Sequence, residues 1–281
     1  MSDQQGNSER RSAEQAADAG SALRRPTLAV TFLTGIPVPV KGDVGSADLW
    51  ASMGWYPLVG LALGAAAWGV FSGLTTFLPS LVAAVIVVLA LELVTRGLHM
   101  DGLMDTCDGF FSGAPRERAL EIMKDHSVGA MGVVSAVLIL LLKVAALGAL
   151  TRADAAAPLL AGWAAARALP APDVYFWPYA RAEGTGEAFT REHTMGPLVM
   201  AAGFLGAAVV VAGLLALALG SAGSWFAGLF VALTAMAVAL LSQAAVAGKL
   251  GGLTGDVYGL GIELAEAVAL VAGCALVKLA G

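Results

Sequence analysis

Hydrophobic positions in this chain do not alternate with polar ones. They come in long runs separated by short polar stretches. Such runs fall at Met53–Leu78, Ser80–Leu98, Val128–Leu150, Pro197–Leu219 and Trp225–Gly248, and a last one reaches Leu279 after the glycine-rich stretch Lys249–Gly261. A helix needs about 20 apolar residues to cross the hydrocarbon core of a bilayer, so each run predicts a transmembrane helix. The first two, separated by little more than Pro79, predict a tight hairpin whose glycines and alanines allow close packing in lipid. Ala156–Pro178 is also apolar but carries Pro170, Pro172, Pro178, Arg167 and Asp173. It predicts a broken span, tolerated at membrane depth only where it faces protein or a cavity. Pro26–Val40, with Pro37 and Pro39, is too short to cross and reads as an N-terminal interfacial or re-entrant segment entered at Arg24 and Arg25. The expected fold is an all-α, polytopic membrane helical bundle with about seven transmembrane helices plus that segment.

Composition supports the same class. At 58% hydrophobic residues and a mean hydropathy of +0.78, the chain has too little polar surface to cover a soluble globule. The net charge of −5 says little about partners, because the charges are confined largely to the connecting stretches. No basic face points to nucleic acid. Two cysteines, Cys107 and Cys274, are too few for a disulfide framework and read as small packing residues. Residues 1–25 are polar and mixed in charge, with no signal-peptide core, and are expected to form a disordered cytoplasmic tail. Residues 26–281 then form a single membrane-embedded domain.

The distribution of basic residues orients the bundle. With the N-terminus in the cytoplasm, the inner segments hold Arg10, Arg11, Arg24, Arg25, Lys41, Arg96, Arg116, Arg118, Lys124, Arg181, Arg191 and Lys249, and the outer ones only Arg152 and Lys278. That bias satisfies the positive-inside rule. It expects a multi-pass protein of the cell (inner) membrane with its main polar blocks on the cytoplasmic side.

Charge is concentrated in HMDGLMDTCDGFFSG, from His99 to Gly113, and in the stretch that follows to Gly129. Asp101, Asp105 and Asp108 are spaced i, i+4, i+7, so on a helix they share one face. Two carboxylates about 4 Å apart repel by roughly 4 kcal/mol at an effective dielectric near 20, a cost that a bound cation removes. With only oxygen ligands on offer, a hard ion such as Mg²⁺ is expected. Lys143 and Arg167 lie inside apolar runs, where an unpaired charge costs at least about 2.5–3.5 kcal/mol. They are expected to pair with Asp173, Glu92 or a bound anion. In GGLTGDVYGLGIELAE, Asp256 and Glu263 are i, i+7 and share a face of a helix beginning near Gly255.

Four blocks in order carry a resemblance: FLTGIPVP, then HMDGLMDTCDG with R-x-R-x-L-E-I-M-K-D and G-A-M-G, then YARAEG, then GGLTGDVYGLGIELAE. Together they resemble the cobalamin synthase (adenosylcobinamide-GDP ribazoletransferase) family over most of the chain. The resemblance implies a membrane-embedded catalytic domain that joins α-ribazole, or its 5′-phosphate, to adenosylcobinamide-GDP and releases GMP. Asp105-x-x-Asp108-Gly is also similar to the opening of the CDP-alcohol phosphotransferase signature. The rest of that signature is absent, since Gly129 stands four residues beyond Asp125. A CDP-alcohol phosphotransferase of phospholipid synthesis is therefore the alternative enzyme. A secondary transporter is the alternative outside enzymes, disfavoured because no internal repeat is found.

On this reading Mg²⁺ is held by Asp105 and Asp108, with Asp101 or Asp125 completing the set or acting from outside it. Arg116 and Arg118 suit bidentate phosphate contacts and Lys124 a point-charge contact. Lys143, Arg167, Arg181, Asp256 and Glu263 are further candidates for substrate or phosphate contact. Asp101 and His99 are the catalytic candidates, His99 as general base or ligand. His126 is given no role and the general base stays unassigned. The expected partners are the two substrates and the lipid bilayer, and a homo-oligomer is left open.

Overall fold

In a computed structural model of the chain, which describes residues 23–40, 42–125, 127–181, 194–221 and 226–280, the apolar runs are helices. Helix α1 covers 23–33. Helix α2 (Ser46–Ser52) leads through a 3-10 turn (Met53–Trp55) into α3 (Tyr56–Leu74), so this crossing begins before the expected Met53. Helix α4 (Ser80–Val94) stops short of the expected Leu98, and α5 (Leu98–Phe111) leaves it at an angle of 88°. The turn is made by Arg96 and Gly97, both in the left-handed region at φ 55° and 64°, with the Gly97 amide closing back on the Glu92 carbonyl at 2.9 Å. Next come the short α6 (Arg116–Ile122) and the long α7 (Ala130–Ala149).

The Ala156–Pro178 stretch is broken, as its prolines require. A turn of π-helix at Pro158–Gly162 is followed by α8 (Trp163–Ala168) and α9 (Pro170–Phe176). The residues from Ala155 to Ala171 are buried almost without exception, so the irregular backbone is covered by protein. Helices α10 (Gly196–Ala218), α11 (Ala227–Leu250) and α12 (Gly255–Ala280) complete the bundle. Among the described residues there is no strand, only an isolated parallel bridge between Tyr179 and Leu253.

Among the described residues five segments are long and apolar enough to cross a membrane, Ser46–Leu74, Ala130–Ala149, Gly196–Ala218, Ala227–Leu250 and Gly255–Ala280, and the bent pair Ser80–Val94 with Leu98–Phe111 makes a sixth if it is one span. The count differs from the expected seven for two physical reasons. The fourth helix stops at Val94 and α5 leaves it at 88°, so the two make at most one bent span. The proline-broken segment has no single helix of sufficient length. Helix α12 is the hub, with 67% of its most apolar window buried against values of 22–33% for the other crossings. Large apolar side chains face outward on α7 (Val137, Leu138, Leu141), α10 (Val210, Leu214) and α11 (Leu233, Leu241), as a lipid-facing surface requires. The expected disordered tail lies almost wholly outside the described residues, as do Lys41, His126 and Arg191.

Candidate active site

The site is built where α5 crosses the start of α12. A Cβ on Gly102 would stand 2.7 Å from the Asp256 carbonyl oxygen, and one on Gly259 would stand 2.8 Å from the His99 carbonyl oxygen. Only glycine on both sides allows so close a crossing. It sets Asp256, in the first turn of α12, against the face of α5 that carries Asp101 and Asp105. The residues after α9 are held to the same place. The Ala180 amide donates to the Leu253 carbonyl at 2.8 Å, and the Leu253 amide donates to the Pro178 carbonyl at 3.0 Å. Arg181 thereby reaches Asp256, its Nη2 donating to Oδ2 at 2.7 Å and to the Met123 carbonyl at 3.3 Å.

The electrostatics follow from this gathering. Partial burial, then the charges of Asp101 and Asp256, push the Asp105 carboxyl up to about 7; Arg181 opposes them and Asp108 adds to them. Four carboxylates therefore act on one another with one guanidinium among them. Such mutual repulsion calls for more positive charge than Arg181 supplies. Asp108 is tied down differently. Its two oxygens accept the Gly129 and Gly132 amides, each at 2.8 Å, at the start of α7. It fixes α5 to that helix as an N-terminal carboxylate would.

Beside the carboxylates lies a cavity of about 110 Å³ whose wall includes His99, Asp101 and Asp256. His99 is 4% exposed, and its Nε2 is buried with no hydrogen-bond partner. Deeper in the bundle is a second polar layer. Glu263 lies seven residues along α12 from Asp256, about 10 Å at 1.5 Å per residue. Lys143 Nζ donates to Glu263 Oε2 and Glu266 Oε2, each at 2.6 Å, and to Glu92 Oε1 at 3.4 Å. Arg167 pairs with the other oxygen of Glu266. All but Glu92 are at most 3% exposed.

The comparisons decide the family. A family model described as cobalamin-5-phosphate synthase matches residues 25–274. The chain belongs to the cobalamin-5-phosphate synthase family. Relatives named adenosylcobinamide-GDP ribazoletransferase share its length. One from Brevibacillus brevis is 39% identical over 250 residues, covering 86% of this chain and 94% of its own. One from Desulfitobacterium hafniense is 40% identical over 262 residues, covering 89% and 96%. One from Escherichia coli K12 is 37% identical over 251 residues, covering 86% and 96%. No solved structure matches the chain. As a member of the cobalamin-5-phosphate synthase family the protein is an enzyme of cobalamin synthesis embedded in a membrane.

Of the residues singled out in the sequence, the cobalamin-5-phosphate synthase fold brings Asp101, Asp105, Asp256 and Arg181 together, with His99 on the wall of the adjoining cavity. Others are engaged elsewhere. Arg116 spends Nε on the Leu250 carbonyl (2.6 Å) and Nη2 on the Ala180 carbonyl (3.0 Å), tying down the loops that carry Arg181 and Asp256. Arg118 pairs with Glu121 at 2.9 Å on the surface, and Lys124 is exposed on the turn after α6. Asp125 accepts the Ser127 amide and hydroxyl, at 3.0 and 2.6 Å. Lys143, Arg167 and Glu263 are spent on the buried ion network. Lys143 takes the expected Glu92, whereas Asp173 instead accepts a hydrogen bond from Gln243 at 2.7 Å. Sequence reasoning missed Glu266, although two glutamates three residues apart inside an apolar helix were a readable signal. It also missed the rest of the cavity wall, where Phe32, Tyr56 and Tyr258 come from three separate helices and leave no local pattern.

Proposed function

We propose that the protein transfers the adenosylcobinamide phosphoryl group of adenosylcobinamide-GDP to α-ribazole or its 5′-phosphate. A hydroxyl oxygen of the acceptor bonds to the cobinamide-side phosphorus, the bond from that phosphorus to the bridging oxygen breaks, and GMP leaves with the electron pair. The observation that carries this reading is the meeting of Asp101, Asp105 and Asp256 with Arg181 beside an open cavity. Phosphoryl transfer asks a protein mainly for positioning and for neutralisation of charge.

The donor set suits Mg²⁺. Only carboxylate oxygens face one another, and Mg²⁺ commonly takes one or two carboxylates together with water and substrate phosphates. Among the described residues no three acidic, histidine or cysteine side chains converge into a ready cage. Asp105 with Asp101 or Asp256 would therefore hold the ion, and the diphosphate would complete its shell. When bound, Mg²⁺ supplies charge neutralisation and polarisation of the diphosphate. Arg181, already held by Asp256, offers its remaining guanidinium donors to a phosphate oxygen. His99 and Asp101, on one cavity wall, orient the attacking hydroxyl and are the candidates to take its proton. Asp108 acts at a distance from the chemistry, by locking α5 to α7. The bias of basic residues supports an inner-membrane location with the site facing the cytoplasm.

The test is GMP release by the purified protein in detergent, with both substrates, in Mg²⁺ and in excess EDTA. GMP should form only with both substrates and Mg²⁺. Folded protein that releases none, or that turns over a CDP-alcohol instead, refutes the reading.

A further inference from the structure

We propose that the cavity beside the carboxylates is a water pocket, in which water held by the Tyr56 hydroxyl and the His99 imidazole forms an outlet for the proton that the attacking hydroxyl gives up. The outlet rests on the transfer reaction proposed above; the water pocket itself does not.

At about 110 Å³ the cavity falls short of the roughly 300–1,000 Å³ usual for a small-molecule site. A water needs only about 10–15 Å³ of such space, so several fit. Size alone does not make a cavity wet, because an apolar one stays dry and each water needs about two to four polar partners. This wall offers them. Tyr56, from α3, is 0% exposed and His99, from α5, is 4% exposed. Both line the cavity, and the Tyr56 hydroxyl and His99 Nε2 are buried without a hydrogen-bond partner. The nearby Ser52 hydroxyl donates instead to the Leu49 carbonyl, at 2.7 Å. A buried polar group left unpaired costs more than an ordinary hydrogen bond is worth, so two of them on one small cavity call for water between them. Asp101 and Asp256 stand on the same wall and add carboxylate acceptors.

The cavity is not sealed. Phe32 and Leu98 belong to its wall and are 42% and 44% exposed, so it lies open on their side. A phenol hydroxyl both donates and accepts, and a neutral imidazole does so through its two nitrogens. Each therefore passes a hydrogen bond on rather than ending it. As the acceptor oxygen bonds to phosphorus, its proton passes to this water, directly or by way of Asp101, and leaves by exchange with the outside. GMP departs with the electron pair of the broken bond, so the charges balance. Tyr56 touches neither substrate in this scheme; it is a positioning residue for the water.

Radiolytic footprinting of the full-length protein in detergent tests the water without any turnover. A short X-ray pulse makes hydroxyl radicals from water in place, and these oxidise the side chains beside it. Met53, on the cavity wall, and Met123, away from it, are matched at 2% exposed each. Met53 should be oxidised at least about fivefold faster than Met123; equal rates would overturn the proposal. Tyr56→Phe then asks whether the hydroxyl is bonded. Removing a hydroxyl that holds water should lower Tm by about 2–4 °C. Removing one that is dry and unpaired should raise Tm, and that result would also overturn the proposal. With Mg²⁺ and both substrates the same variant should lose about tenfold in kcat while both KM values stay within about twofold of wild type. An unchanged kcat would overturn the outlet. No turnover by the wild type would overturn the transfer reading and the outlet with it, while the comparison of Met53 with Met123 would still decide the water pocket.

Discussion

Replacing Lys143 with methionine separates two roles for a lysine inside the membrane. In the structure Lys143 is 2% exposed and lies 2.6 Å from both Glu263 and Glu266. At an effective dielectric near 20, a pair of unit charges about 4 Å apart attracts by roughly 4 kcal/mol, most of which repays the cost of removing the ions from water. Methionine keeps the length and apolar stem of the side chain but leaves three glutamates, Glu92, Glu263 and Glu266, facing Arg167 alone. Arg167 holds Glu266, so Glu263 is the residue orphaned. Removing one partner of a buried pair typically costs about 3–5 kcal/mol, which for a chain of this size lowers Tm by roughly 6–15 °C. Thermal unfolding in detergent measures the loss. The double variant Lys143→Met/Glu263→Gln should recover a large part of it, because the orphaned charge is then gone. A lysine devoted to the substrate pyrophosphate would behave in the opposite way. Tm would stay within about 1 °C of wild type and the KM for adenosylcobinamide-GDP would rise tenfold or more. That result would refute the reading of Lys143 as a structural ion-pair partner.

Asp105→Asn should abolish GMP release while keeping or raising Tm, since it removes a carboxylate that its neighbours repel; retained turnover would dismiss it from the site. The same carboxyl gives the metal-free protein a pH dependence. Its folded-state pKa is raised from 3.8 to about 7, so between those values the folded state binds more protons than the unfolded one, and stability falls as pH rises. Tm in EDTA should therefore be higher at pH 5 than at pH 8, with the Asp105→Asn variant showing a smaller difference. Asp108→Ala frees the Gly129 and Gly132 amides and should cost about 2–4 kcal/mol in a melting experiment; an unchanged Tm would show that the link between α5 and α7 is not structural. Gly259→Ala places a methyl 2.8 Å from the His99 carbonyl, and should lower kcat more than tenfold with the protein still inserted in the membrane. Wild-type kcat would mean that the crossing does not set the spacing of Asp256 from Asp105.

What the sequence determined by itself was local. Apolar runs long enough to cross a bilayer fixed the all-α membrane class, because the backbone has no other way to satisfy its polar groups in lipid. The i, i+4, i+7 aspartates were legible because helical periodicity is a local rule, and the prolines of Ala156–Pro178 foretold a broken segment. Tertiary structure decided the rest. It showed that α4 ends at Val94 and that α5 leaves it at 88°, a consequence of two left-handed residues, Arg96 and Gly97, that hydropathy does not register. It showed which carboxylates meet. Asp256, 151 positions after Asp105 in the sequence, joins it because facing glycines let α5 and α12 touch, whereas Asp108, only three positions away, is drawn off to the start of α7. It also divided the basic residues. Arg181 goes to the carboxylates, Arg116 to backbone carbonyls, and Lys143 and Arg167 to the buried glutamates. A sequence names the charges that must be paired. Which pairs form depends on distances between helices, set by the packing of side chains and glycines far apart in the chain.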